Sequence, residues 1–352
     1  MTGSTHRRGT PTAVGASSPG RMREPLNNCS VCADVHPVTR PTTALAAAAV
    51  LTTLLAACGT ATADTEQPAA EASAPVAPDG TTLVIGSVSD DPEEEAEVFQ
   101  PFIDHVAAQL GDVGVTGGDV VVAESVEEMD ELLRSGEVDL YVDNMNGVTQ
   151  VVEGGSGTPL LRRWKDGAPT YHSVVVTRRD SGIATPEQLV GRTVAFEEET
   201  STDGYFLPVS TLRQLGLTVS QVAEPTSPPA PGEIGFVFSG DDENTVFLVL
   251  DGQVDAGALS EEDLLENAGS RAGELVTVAR SIDVPRHGVV ARTDLDPALA
   301  QALTAALTTL HETAEGQEVL EEFDDTARFD ALPAEALAPV LELRRFLGDG
   351  TP

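Results

Sequence analysis

Short apolar runs alternate along this chain with stretches in which apolar residues return every three or four positions. The runs at 81–88, 119–123, 138–142, 171–177, 193–196, 235–238, 254–259, 275–279 and 288–291 predict strands. Between the first two, Val98, Phe102, Val106 and Leu110 recur every fourth residue and predict a helix over 93–110. Further helices are predicted over 126–133, ended by Gly136, over 201–215, and from the end of the 235–238 strand through 250. Helices at 297–310, 316–323 and 333–347 fill the C-terminal part. Alternating strands and helices imply an α/β chain with mostly parallel sheets. The length suits two lobes, with long strands such as 171–177 crossing between them.

The strand ends carry the candidate chemistry. After the 193–196 strand come Ser201, Thr202 and Asp203, all good helix-capping types, then Gly204, which lets a backbone approach closely, and Tyr205. The free N–H groups of such a helix start attract an anion. Asp241 or Asp242 caps the helix after Ser239-Gly240, Ser260 ends another strand, and Asp143 and Asn144 end the 138–142 strand. The plainer reading of each loop alone is a helix cap. Several polar helix starts together are what a cleft at the carboxyl edges of α/β sheets requires. Tyr171 and His172 open a crossover strand, where a lone His is more often a core or hinge residue, and His287 follows Pro285-Arg286 in the second crossover. Residues 162–167, RRWKDG, hold the one basic patch and read as a solvated loop anchored by Trp164.

Composition narrows the function. Twenty basic residues stand against 57 acidic, for a net charge of −37. Such a chain is repelled by nucleic acid and by anionic lipid. Metalloprotease, P-loop, esterase and dinucleotide signatures are absent, and six His show no metal-ligand spacing, so no enzyme, cofactor or metal is expected.

The first 80 residues read differently. Residues 44–57, ALAAAAVLTTLLAA, have the size of a signal-peptide apolar core, shorter than the roughly 20 residues of a membrane span. Leu55-Ala56-Ala57-Cys58 resembles the bacterial lipobox, which implies cleavage before Cys58 and lipid on its thiol. Residues 1–37 do not fit a signal peptide and read as an early-called start, with Val38 or Met22 as the alternatives; Cys29 and Cys32 alone are a weak redox or metal signal. Residues 59–80 are Ala, Pro, Thr and acidic, and read as a disordered tether.

From Thr81 to about Leu347 the chain resembles the phosphate/phosphite/phosphonate-binding proteins of ABC importers. The matching segments are Gly136-x-Val-Asp-Leu140, Lys165-Asp-Gly-x-Pro-x-Tyr-His-Ser-Val-Val175, Arg179-Asp-Ser-Gly-Ile183, Leu189-x-Gly-Arg192, Phe196, Ser201-Thr-x-Gly-Tyr205, Phe238-Ser-Gly240, Gly252-x-Val-Asp-Ala-Gly257 and Val284-Pro285. The resemblance implies a two-lobe periplasmic-binding fold of type II that closes on its ligand by hinge motion, with residues 81–173 and 285–352 in one lobe and 174–284 in the other. It implies a monomer that hands a small phosphorus oxyanion to a permease and its ATPase, with Ser201 and Thr202 donating hydroxyl and backbone hydrogen bonds. A ligand-presenting sensor for a histidine kinase would share the fold. Four positions depart from the family pattern: Asp203 replaces a Ser, Asp242 stands at a ligand-facing His, His287 replaces an acid, and Val126 replaces an aromatic. Two acids gained near an anion site weaken a dianion unless a proton is shared or the acids point away.

Overall fold

The computed structural model describes residues 80–347; Cys58, the 44–57 segment and the 59–79 tail lie outside the described residues. Fourteen strands and nine α-helices follow one another there. The strands are β1 (Thr81–Val88), β2 (Val115–Ala123), β3 (Leu140–Asn144), β4 (Gly157–Arg163), β5 (Thr170–Tyr171), β6 (Ser173–Arg178) and β7 (Thr193–Phe196). They continue with β8 (Thr218–Gln221), β9 (Glu233–Phe238), β10 (Ala256–Ser260), β11 (Leu275–Arg280), β12 (Val284–Pro285), β13 (His287–Arg292) and β14 (Phe329–Ala331). The helices that matter below are α1 (Pro92–Ala108), α2 (Val126–Ser135), α3 (Met145–Gly154), α4 (Leu207–Gln214), α5 (Asp242–Leu250), α6 (Glu261–Ala268), α7 (Pro297–Thr309), α8 (Ala314–Glu322) and α9 (Ala334–Arg344).

Two six-stranded sheets form the two lobes, in the orders β14-β4-β13-β3-β1-β2 and β11-β6-β10-β7-β9-β8. This is the type II periplasmic-binding architecture. The sheets are mixed rather than mostly parallel. The neighbours of β1 and of β7 run parallel to them, but β13 is antiparallel to both β3 and β4, and β6 to both β10 and β11. The antiparallel strands β6 and β13 are those by which the chain enters a sheet from a crossover.

The expected strand over 171–177 is two strands. Tyr171 pairs with Val284 in a small β5–β12 ribbon, and Ser173 already belongs to the second sheet. His172 sits at the break, with Nδ1 within 3.0 Å of an Arg280 guanidinium nitrogen.

Each lobe has a layered apolar core. In the first, Phe102 stacks on Phe323 with ring centroids 4.1 Å apart. Of the predicted recurrence Phe102, Val106 and Leu110 are buried and Val98 partly so, while α1 also buries Phe99 and Ile103, which the four-residue spacing does not include. In the second, Phe196, Tyr205, Phe236 and Phe238 form an aromatic cluster. A third cluster joins Tyr171, Phe206 and Leu207 to Leu337, Val340 and Leu343 of α9, so the C-terminal helix packs against residues on both sides of the crossover.

Residues 162–167 are not a solvated loop. Arg163 ends β4 and is 1 % exposed, with its guanidinium donating to Thr326 Oγ1, Phe323 O and Asp324 and lying 3.8 Å from the Phe323 ring centroid. A buried cation requires such a set of partners.

Candidate functional site

The chain after β7 does not enter a regular helix. Thr202–Phe206 is one turn of π-helix that runs into α4. Phe206 N–H donates to Ser201 O at 3.0 Å, a five-residue closure. Pro208 explains the widening, because it has no N–H to return to the first turn. The Gly204 carbonyl is instead taken by Glu197 N–H at 3.2 Å, and that of Asp203 by the Ser173 hydroxyl at 2.6 Å. Gly204 is required: a Cβ there would lie 2.4 Å from Glu197 Cβ and 2.7 Å from its Oε2.

The hydroxyls expected to hold an anion have other duties. Ser201 Oγ accepts Gly204 N–H at 2.9 Å. Thr202, 1 % exposed, donates to Asn144 Oδ1 at 2.9 Å and accepts Asn146 N–H at 2.8 Å. Asn146 Nδ2 donates to the carbonyls of Glu199 and Thr200 at 3.0 and 3.1 Å. Arg344 of α9 donates to Asn146 Oδ1 at 2.7 Å. Thr202 and Asn144 therefore tie the start of α3 on the first lobe to the 199–202 loop of the second.

Asp143 turns inward. It accepts the Tyr141 hydroxyl and Asn144 N–H, the latter at 2.6 Å, and burial pushes its carboxyl up to about 6 against those bonds. Tyr205 belongs to the second lobe's aromatic core. His287 lies 3.5 Å from Arg163 through Nδ1, and burial together with Lys165, Arg163 and Arg286 holds it well below its ordinary range, so it is neutral.

Four carboxylates gather where the turn meets α5 and α6. One oxygen from each of Asp203, Asp242 and Asp263 lies within 4.8 Å of the other two. Burial, then the charge of Asp263, raises Asp203, whose carboxylate faces its own N–H and that of Ser260 while Arg286 opposes the shift. Burial and the charges of Glu197, Asp203 and Asp263 push Asp242 up to about 8. Glu197 is pushed up to about 7 by burial, against a hydrogen bond from Ser201 and with added repulsion from Asp203, Glu198 and Asp263. Arg286 is the facing cation. Its guanidinium lies 4.5 Å from the Tyr171 ring centroid and bonds Asp166 Oδ2 at 2.6 Å. The Tyr171 hydroxyl faces Thr202 and Asp203. Three carboxylates have the spacing to take a cation, but an acidic cluster alone does not make a metal site.

The structure thus brings Asp203, Asp242 and Tyr171 together and adds Glu197, Asp263 and Arg286, which the loop-by-loop reading did not single out. Arg286 carried a signal, standing between Pro285 and His287 in the second crossover. Glu197 and Asp263 carried none among 57 acidic residues.

The model of the ABC-transporter phosphonate periplasmic substrate-binding proteins matches residues 85–337. This chain belongs to that family. A Xanthomonas citri protein solved with chloride bound is 30% identical, with a TM-score of 0.71 over 76% of this chain and 97% of its own. Solved with ATP bound, it gives 27% identity and a TM-score of 0.71 over 77% and 99%. PhnD1 from Prochlorococcus marinus in complex with methylphosphonate shares the fold at 20% identity, with a TM-score of 0.55 over 76% of this chain and 98% of its own. The tetrathionate sensor histidine kinase TtrS of Salmonella typhimurium is 34% identical over 100 residues, which is 26% of this chain and 16% of the kinase. Phosphonate-binding-type proteins are substrate-binding proteins that take a small ligand outside the cytoplasm and work with an ABC permease.

Proposed function

We propose that the chain is the solute-binding subunit of an ABC importer, capturing a small phosphorus oxyanion (phosphonate, phosphite or phosphate) between its lobes. The observation that carries this reading is the meeting of the Thr202–Phe206 turn, Asp242, Tyr171 and Arg286 at the carboxyl edges of the second sheet beside the crossovers. α/β sheets bind ligands at such edges. In this reading the chain before the β5–β12 ribbon and the chain after it form one lobe, and β6 through β11 form the other, so that the expected boundary at 173 moves to His172. The β5–β12 ribbon is the hinge, and the protein is a monomer that delivers its ligand to a permease driven by an ATPase. Cys58 becomes the first mature residue and carries the lipid anchor, with 59–80 as its tether. The mass of the exported N-terminus checks that point, and an unmodified Cys58 would remove the anchor.

Calorimetry on the purified, unliganded protein with phosphate, phosphite, methylphosphonate and hypophosphite tests the ligand class. Heat of binding is expected for at least one, and none from any of the four would end the oxyanion reading.

The 100-residue likeness to a sensor kinase favours one second reading, in which the same fold presents ligand to a histidine kinase. Neighbouring genes separate the two: a permease and ATPase against a kinase and regulator.

A further inference from the structure

Two buried polar atoms in this part of the molecule have no hydrogen-bond partner: Oδ1 of Asp242 and Nε of Arg286. Neither belongs to a surface loop. Asp242 stands on the first turn of α5, and the Arg286 side chain is 11 % exposed between β12 and β13. A buried acceptor and a buried donor left unpaired each carry a desolvation cost that a bound molecule can remove.

The groups around Asp242 limit what that molecule can be. Glu197 faces it from the end of β7, Asp203 from the π-turn and Asp263 from α6, and Arg286 is the cation that opposes them. Tyr171 joins this set beneath Arg286, its hydroxyl toward Asp203. A bare dianion would satisfy Arg286 and be repelled by Asp242. A purely cationic group would satisfy Asp242 and leave Arg286 Nε–H unmet. One proton held between Asp242 and a ligand oxygen, with a second ligand oxygen on Arg286, satisfies both atoms.

We propose that Asp242 sets the specificity of the cleft by sharing one proton with the bound oxyanion, while Arg286 Nε–H donates to a second ligand oxygen. The inference rests on the oxyanion reading above. A ligand arriving as the dianion meets the proton on Asp242, and a ligand arriving as the monoanion brings it. Either way one O–H···O hydrogen bond forms and no covalent bond other than O–H is exchanged. A carboxyl at this position recognises an oxyanion only while a proton is held between them. With its carboxyl pushed up to about 8, Asp242 holds that proton at neutral pH and loses it above.

The test is calorimetry with methylphosphonate from about pH 8.5 to about pH 10, a range above the second ionisation of an alkylphosphonate, which lies higher than the value of about 6 of phosphate esters, so that the ligand stays a dianion throughout. Wild-type affinity is expected to fall roughly tenfold per pH unit once Asp242 has ionised. Asp242→Asn, whose amide donates but does not titrate, is expected to flatten that fall. A wild-type profile that stays flat, or an Asp242→Asn profile as steep as wild type, overturns the proposal. Should the variant not fold, titrations of the wild type in buffers of different ionisation enthalpy decide alone. Uptake of about one proton per ligand at the alkaline end is expected, and no uptake overturns the proposal. Absence of binding by methylphosphonate, phosphite and phosphate throughout would overturn the oxyanion reading and this inference with it. Binding without pH dependence would overturn this inference only.

Discussion

Glu197 shows how one side chain serves the fold and its pH response together. Its backbone N–H closes the turn on Gly204 O, and its carboxyl is buried beside Ser201 and three other acids. An ordinary Glu titrates near about 4.3 in the unfolded chain. In the folded protein Glu197 is pushed up to about 7, so the folded state binds the proton more tightly. The stability this proton contributes is fully present below the unfolded value and is lost as pH rises through about 7. Melting temperature is therefore expected to fall between about pH 4.3 and about pH 7. Glu197→Gln should lessen that fall. An equal fall in the variant, followed by circular dichroism, would show that Glu197 is not its source.

Arg163 marks the limit of reading single residues. In sequence it stands beside Arg162 and Trp164 and looks solvated. Its burial depends on Phe323, Asp324 and Thr326, some 160 positions away, and no local pattern reports them.

Among the elements, the π-turn and α3 form the joint between the lobes. The capping residues of the turn were legible as a helix start, because Ser201, Thr202 and Gly204 are the types such a start needs. The widening was not legible, since it follows from how the carbonyls left by Pro208 are reassigned in space. α3 is not legible beyond its cap, Asn144; β8 and β14 are short edge strands with little alternation, and β4, an interior strand of seven residues, carries Gly157, Pro159 and two closing arginines in place of an alternating pattern. Asn146 is the centre of the joint, holding two carbonyls of the 199–200 segment and one guanidinium of Arg344. Asn146→Ala leaves those groups short of a partner. It is expected to lower stability by about 1–3 kcal/mol in urea denaturation. A change within experimental error would mean that water replaces the amide at no cost.

At the scale of the whole molecule, the α/β class and the two lobes were legible because hydrophobic periodicity and strand-helix alternation act locally and repeat along the chain. Strand direction was not. β6 and β13 run against their neighbours because each follows a crossover, and a one-dimensional pattern carries no sign of which way a strand points. The acidic cluster was equally hidden, since Glu197 with Asp203, Asp242 and Asp263 come from three separate segments.

The order of the first sheet also bears on how the protein is made. β13 lies between β3 and β4, yet it ends at Arg292, long after both have been synthesised. Until that strand emerges, β3 and β4 have no common neighbour, and α9, which packs on the joint, comes later still. A polypeptide threaded N-terminus first through a narrow channel cannot complete its first lobe inside the cell while its last third is still being added. In a family that works outside the cytoplasm, a first lobe closed by so late a strand finishes folding no earlier than β13 arrives, on whichever side of the membrane that is.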